Sequence, residues 1–267
     1  GTALVDMYVK CGVIAKAQEV LEELLVRDLV SWNSLIGGYT ELGQGHEALN
    51  CFEQMEYEGF SPNVVTFVSV LKACGSLGAL YQGYIIDDLL RRHNIDLDVV
   101  LGTTLIEMYV NCGHLKDAYK VITDLPSRNN VSWSAMIAGC SNYQQAIQYF
   151  KSMLSSGIRP NDVTFIGLLS ACCQAGCVNE GCHHFKSMTL DYNIVASAEH
   201  YNCMVDLLAR SGFLVEAKMM LLTMPFDPDI KVWTSLLSHS KVLGEASLGK
   251  RCFDTVNIVD VVEADNT

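Results

Sequence analysis

Four cysteines and two histidines crowd the thirteen residues CCQAGCVNEGCHH, 172 to 184, and thiolates and imidazoles are the donors that hold zinc in tetrahedral sites. Their spacing does not suit one ion. Cys172 and Cys173 fall late in one amphipathic stretch, Cys182, His183 and His184 fall in the next, and no Cys-x-x-Cys pair grips from either. Cys74 also occupies the phase of Cys172 in a stretch with no other candidate ligand, which points to packing rather than ligation. HEALN, from His46, begins as a zinc-protease helix does, but Asn50 stands where the second histidine belongs. The His-x-Glu and downstream Pro-Cys-x-x-Cys that a zinc deaminase needs are missing as well. Asp6, Glu107 and Asp206 share one phase of a repeated unit, yet they come one per repeat, too dispersed for paired acid–base work, and are expected to make surface or inter-repeat polar contacts. The segment presents no catalytic motif, and neither a metal nor another cofactor is expected.

The elements that position these residues belong to a chain of 267 residues, half of them hydrophobic, which is ample for a substantial core and argues against disorder. No apolar run approaches the ~18 residues that cross a bilayer, so no membrane partner is expected. Gly1, with no initiator Met or charged leader, points to a segment of a longer chain whose targeting signal is out of view. Eleven cysteines in a chain that can build its own core read as reduced thiols in an intracellular compartment rather than a disulfide framework. The formal charge of −12 argues against binding by a diffuse basic surface, because non-specific nucleic-acid affinity comes from neutralising phosphates. Any nucleic-acid role must rest on more local chemistry.

The chain repeats itself. GTALVDMYVKCG (Gly1–Gly12) returns as GTTLIEMYVNCG (Gly102–Gly113), and SWNSLIGG from Ser31 returns as SWSAMIAG from Ser132, both 101 residues on. VTFVSVLKAC from Val65 returns as VTFIGLLSAC from Val163 after 98, as a three-residue deletion before the second copy would produce. Each composite subdivides into helical hairpins. In residues 29 to 63, Trp32, Leu35, Ile36 and Tyr39 form one amphipathic stripe and Ala48, Leu49, Phe52 and Met55 a second, with Gly43 between them and Gly59 and Pro62 closing. The glycine between stripes recurs as Gly12, Gly78, Gly113, Gly176, Gly212 and Gly244; the hairpin from Asn130 lacks it. The registers run 1–28, 29–63, 64–98, 99–129, 130–161, 162–197 and 198–229, with a divergent hairpin from 230. A lone hairpin cannot bury both faces, so neighbours must stack: the expected fold is an all-α, helical-hairpin repeat solenoid with a concave side. Trp32, Trp133 and Trp233 share the fourth position of a hairpin with Phe67, Phe165 and Tyr201 and are expected to pack hairpin on hairpin. Cys11, Cys74, Cys112 and Cys172 repeat with this packing and are expected to react slowly with thiol reagents.

These phrases resemble the plant pentatricopeptide repeat family, in its PLS subclass, where P, L and S repeats alternate in such lengths. GTALVDMYVKCG, RDLVSWNSLIGGY, VTFVSVLKACGSLGAL and EHYNCMVDLLARSG resemble its S, P, L and final S repeats, and IKVWTSLLS, before Gly244, resembles the E motif. The resemblance implies a partial S repeat 1–28, P 29–63, L 64–98, S 99–129, a shortened P 130–161, L 162–197, a final S 198–229, and an E-like motif and tail 230–267. The shortening around Cys140–Gln145 and the presence of Cys177, Cys182 and His183 depart from the family's pattern, and no deaminase domain is in view.

The resemblance further implies that the fifth and last residues of each repeat read one base of a single-stranded organellar RNA, in a mitochondrion or chloroplast. A hydroxyl at the fifth position leaves room for a purine and Asn suits a pyrimidine; a final Asp accepts the imino N–H of G or U, and a final Asn donates to A N1 or C N3. Thr2 with Asp28 then reads G, Asn33 with Asn63 reads C or U, Thr103 with Asn129 and Ser134 with Asn161 read A, and Asn202 with Asp229 reads U. Val68 with Asp98 and Ile166 with Ser197 are assigned no base, because the fifth residue is apolar. Second-position Val30, Val65, Val100, Val131 and Val163 would sandwich bases, a pattern that Glu199 and Lys231 break. The polar residues near helix starts also suit helix caps, but caps alone do not explain why the fifth position turns apolar in the L repeats. The function implied is selection of sites for C-to-U editing, with a deaminase-bearing protein or editing cofactor in trans or a deaminase domain further along the chain. A tetratricopeptide-like protein-interaction solenoid is the alternative, favoured by the acidic balance; its period is a constant, about 34 residues, whereas these lengths cycle.

Overall fold

The computed structural model describes residues 1–93, 95–126, 129–228, 230–242 and 250, and among these it contains fifteen α-helices and no strand. The all-helical hairpin expectation holds. Asp229 and Gly244 lie outside the described residues, as do most of the E-like segment and the side chain of Lys231.

Two compact units divide the chain. The first, residues 1–139, holds hairpins α1 (Thr2–Lys10) with α2 (Ile14–Glu23), α3 (Leu29–Glu41) with α4 (Gly45–Tyr57), α5 (Val64–Leu77) with α6 (Leu80–Arg92) and α7 (Val99–Asn111) with α8 (Leu115–Asp124), then α9 (Asn130–Ala138). The second, from residue 140, holds α10 (Tyr143–Ser155), α11 (Asp162–Ala175) with α12 (Val178–Leu190), α13 (Ala198–Arg210) with α14 (Leu214–Thr223), and α15 (Ile230–Val242).

Within each unit the first helix of a hairpin packs on the next first helix, α1 on α3, α3 on α5, α5 on α7, and later α11 on α13 and α13 on α15. Helices α2, α4, α6, α8, α12 and α14 each pack into the step between their own first helix and the following one, as α4 does between α3 and α5. The stripes read from the sequence supply these surfaces: Trp32, Leu35, Ile36 and Tyr39 of α3 and Ala48, Phe52 and Met55 of α4 are all buried. The Phe52 ring lies 6.5 Å from that of Phe67, so one hairpin's core continues into its neighbour's. Burying one such side chain contributes about 1.5–3 kcal/mol, and the sum must offset the entropy of ordering every hairpin.

The turns are set by backbone conformation. Gly12, Gly43, Gly78, Gly113, Gly176 and Gly212 all have φ between +64° and +87°. At Gly78 the left-handed cap returns N–H groups to the carbonyls of Cys74 and Gly75, satisfying two acceptors at the end of α5. The turn before α10 has no such glycine; Asn142 starts that helix by accepting from the Gln144 N–H. Trp32 and Trp133 are only 1–2% exposed, which makes them packing residues and not stacking platforms, and Trp233 packs partly buried against the last core cluster. Both buried indole N–H groups lack an acceptor, a penalty of about 1–3 kcal/mol each that ring burial offsets.

The uniform protection expected for four cysteines needs correcting. Cys74 and Cys172 are buried, but Cys11 is exposed and Cys112 half-buried. Cys112, fourteenth in its repeat, and its copy Cys11 are the C-caps of α7 and α1, whereas Cys74 and Cys172, eleventh in theirs, lie about a turn earlier and inside fourteen-residue helices.

Candidate nucleic-acid interface

Among the described residues, the last residue of each repeat is the N-cap of the next first helix. Asp28, Asn63, Asp98, Asn129 and Asn161 each accept, through one side-chain oxygen, from the backbone N–H three residues on, at 2.8–3.0 Å. Capping therefore falls on the last-position residues, while Asn33 and Thr103 lie in the second turns of α3 and α7, where no cap is needed. Satisfying an orphan N–H in this way is worth about 1 kcal/mol per helix, and it also dictates which atom of the cap faces inward.

That constraint gives Asp and Asn opposite faces. Asp28 spends Oδ1 on the Ser31 N–H and hydroxyl, at 2.8 and 2.6 Å, and its Oδ2 accepts from the Thr2 hydroxyl at 2.8 Å. Bonds from the Ser31 hydroxyl, then the Ser31 N–H and Thr2, hold the Asp28 carboxyl below its ordinary pKa, so it is an ionised acceptor at neutral pH. Asn63 must turn Oδ1 toward the Thr66 N–H, which leaves its NH2 as the group available outward.

The structure thus brings together two of the pairs picked from sequence, Thr2 with Asp28 and Asn33 with Asn63, the second through Asn33 Nδ2 donating to Asn63 Oδ1 at 3.2 Å. Beside Asn129, the Thr103 hydroxyl meets that of Ser132 at 2.9 Å. Ser134 is 2% exposed and belongs to the first unit, Asn161 to the second. Asn202 lines a small cavity with Cys203, Asp206 and Ser235, and its proposed partner Asp229 lies outside the described residues. At the two pairs assigned no base, Val68 and Ile166 are half-buried.

Val30, Val65, Val100, Val131 and Val163 stand 47–61% exposed, an unusual fate for β-branched residues in the first turn of buried helices. Val30, Val65, Asn33 and Asn63 line one open groove, joined by Asp6, Lys10 and Glu41. Lys10 is tied to Asp6 at 2.8 Å, so this groove offers no spare cation for a phosphate. What it presents is apolar surface and directed amide groups.

The ligand-rich run at 172 to 184 is dispersed into separate contacts. Cys173 donates to Asp206 Oδ2 at 2.9 Å, and the His184 Nε2 lies 3.1 Å from the Tyr143 hydroxyl. Burial pushes the Cys173 thiol up to about 12. Burial would raise Asp206 too, but bonds from Cys173 and Ser235 and the nearby Arg210 hold it below its ordinary value. Among the described residues no group of three or more His, Cys, Asp or Glu is placed to hold a metal.

Sequence reasoning missed the third residue of each hairpin. Ser31, Thr66, Ser132 and Thr164 are at most 1% exposed, and each puts a hydroxyl on a capping side chain or on a fifth-position side chain of the preceding hairpin. The signal was available, since Val-Ser-Trp and Val-Thr-Phe recur at this phase four times.

Comparison with known proteins follows the same periodicity. The model of the PPR repeat family matches residues 27–76 and 128–174, and that of the PPR repeat matches 2–29, 163–191 and 199–226. A pentatricopeptide repeat-containing protein of Arabidopsis thaliana named as chloroplastic is 41% identical over 253 residues, covering 93% of this chain and 34% of that protein. Another from the same plant, named as mitochondrial, is 40% identical over 249 residues, covering 92% of this chain and 45% of its own length. The chain thus spans less than half the length of these relatives. Among solved structures, the pentatricopeptide repeat protein PPR10 in complex with an 18-nt psaJ RNA element superposes with a TM-score of 0.81 at 17% identity, over 97% of this chain and 40% of that one. PPR10 from maize superposes at 0.71 with 20% identity, over 96% of this chain and 38% of that one.

Proposed function

The chain belongs to the pentatricopeptide repeat family, and on that premise we propose that its first-helix face binds single-stranded RNA, each P and S repeat reading one base. The observation that carries this reading is the groove in which Asn33 and Asn63 join side chain to side chain between exposed Val30 and Val65. A base slipped between two such valines would bury their apolar surface and meet directed hydrogen-bonding groups at its edge. Asp28 beside Thr2 offers an ionised acceptor for the imino N–H of G, and Asn63 offers donors. With a net charge of −12, affinity would come from these base contacts more than from phosphate neutralisation.

In the PLS register, with protein and RNA parallel, the preferred sequence reads G, pyrimidine, any base, A, A, any base, U. The final S repeat, 198–229, then lies nearest an edited cytidine, and the E-like segment leads to a deaminase in cis or in trans. A chloroplast or mitochondrion would be the setting, as in the names of the relatives.

The test exchanges one reading pair. Asn202→Thr with Asp229→Asn should move preference at the last base from U to A and leave the other positions unchanged. Binding is measured on four RNAs differing only there, with the parent alongside; a wrong base that strands a polar group costs about 1–3 kcal/mol, or one to two decades in affinity. If parent and double variant rank the four RNAs alike, the reading pair is wrong and this face serves a partner of another kind.

A further inference from the structure

The third-position hydroxyls do more than cap. Thr66, 0% exposed, has one proton to give, and its Oγ1 lies 2.6 Å from Asn33 Oδ1 but 3.0 Å from Asn63 Oδ1. The same oxygen accepts from the Asn63 backbone N–H at 3.1 Å, closing a reciprocal capping box. Asn33 Oδ1 is therefore occupied by the threonine proton, and Asn63 Oδ1 by the Thr66 N–H and by Asn33 Nδ2. Both amide oxygens are turned inward onto donors of the protein. What remains to face a ligand is N–H.

Elsewhere in the chain the arrangement has internal controls. Ser31 stands against Thr2 and Asp28 at 3.1 and 2.6 Å, Ser132 against Thr103 at 2.9 Å and Thr164 against Asn161 at 2.7 Å. Where the fifth residue is apolar, at Val68 and Ile166, the corresponding third residues are Leu101 and His200. A hydroxyl needed only to start a helix would have no reason to track the polarity of a residue in the preceding hairpin. After Asn202 the third residue is Val232, so that pair has no hydroxyl to lock it.

We propose that the buried third-position hydroxyl of the following hairpin, where one is present, positions the reading pair before it, and that Thr66 fixes Asn33 and Asn63 with their N–H groups outward, so that this pair prefers C to U. The idea rests on the RNA reading above. Cytosine offers N3 and O2 as acceptors, whereas uracil presents an N3–H that would oppose another N–H. With Thr66→Val the cap bond from the backbone N–H of residue 66 persists, so Asn63 keeps its orientation, but the Asn33 amide loses its oxygen's partner. Only the 3.2 Å bond from Asn33 Nδ2 to Asn63 Oδ1 then holds it, and a flip that gives up this weak bond lets it offer its oxygen to uracil.

The experiment measures equilibrium binding of the parent, Thr66→Val and Thr66→Ser to four RNAs that differ only at the second base, with melting followed by circular dichroism. The parent should favour C over U by about tenfold, the loss expected when one polar group is left opposed. Thr66→Val should narrow that ratio to about twofold or less, and Thr66→Ser should keep it. Ser31→Ala, a smaller excision, should relax the preference for G at the first base alone, and supplies the test if Thr66→Val does not fold. A valine variant that binds all four RNAs more weakly with its ratio intact would show a purely structural threonine and overturn the proposal alone. A parent indifferent to the second base would overturn both the proposal and the reading beneath it.

Discussion

Hairpins α5–α6 and α11–α12, 98 residues apart in sequence, are near copies in their first helix and differ in their second. Both first helices run fourteen residues, open with an Asn–Thr capping box and close on a left-handed glycine, Gly78 or Gly176. Each buries a phenylalanine completely, Phe67 or Phe165. Rings from the far end of each hairpin meet them: His93 at 6.3 Å from Phe67 and Tyr192 at 5.3 Å from Phe165. In the second helices, α6 turns Gly83, Ile86 and Leu90 inward, while α12 turns Gly181, His184 and Met188. An imidazole replaces an isoleucine at the centre of the core. It is tolerated because Nε2 meets the Tyr143 hydroxyl and the ring packs edge-on against Phe150, 6.2 Å away. Caps and turns are local requirements that admit few substitutes; an inward residue of the second helix can change polarity wherever a partner is within reach.

The strongest way to break the comparison is to excise its shared centre. Phe67→Ala and Phe165→Ala should each cost about 3–5 kcal/mol, read by chemical denaturation, and a mild effect at only one site would mean that the two cores are not equivalent. Next come the turns. Gly78→Ala and Gly176→Ala place a Cβ in open space, so only the positive φ opposes them, and each should cost about 1–2 kcal/mol; a larger loss would point to contacts that the open surroundings do not explain.

The histidine sharpens the contrast at lower amplitude. Burial, with His183 beside it, depresses the folded-state pKa of His184, so the unfolded chain binds a proton first as the solution is acidified. Its stabilising share is whole above about pH 6.5 and is lost as pH falls through the lower folded value. Melts of the parent and His184→Leu from about pH 8 to about pH 5 should show the parent losing more, with His200, also depressed by burial, leaving a residual slope in both. Identical slopes would remove His184 from the account.

Thiol labelling gives the smallest effect. Cys74 and Cys172 are buried, and burial pushes both thiols up to about 12, so they should react slowly and at similar rates. Cys11, exposed, should react fast, and Cys177, half-buried, should fall between. Fast labelling at Cys172 but not Cys74 would show the second hairpin opening more readily than the first.

Most of the hairpin architecture is legible in the order of residues alone. Trp32, Leu35, Ile36 and Tyr39 announce a helix because their spacing matches its turn, and Gly78 marks the stop because few other residues adopt its φ. The reading residues are less legible. Asn63 suits a cap and a base reader alike, and it caps through Oδ1 while its NH2 stays available. The burial expected of Cys11 fails because it stands three positions later in its repeat than Cys74 does, where the helix has already ended.

The sequence by itself determined the hairpins, their turns and the family, since each depends on residues within a few positions of one another and on a motif repeated along the chain. Only the tertiary structure decided that Thr66 meets Asn33 across 33 positions, that Cys173 spends its thiol on Asp206, and that His184 sits in an aromatic core. Those contacts join side chains from successive hairpins. Which atom an amide or thiol presents there depends on every partner competing for it, and those partners gather only when the hairpins stack.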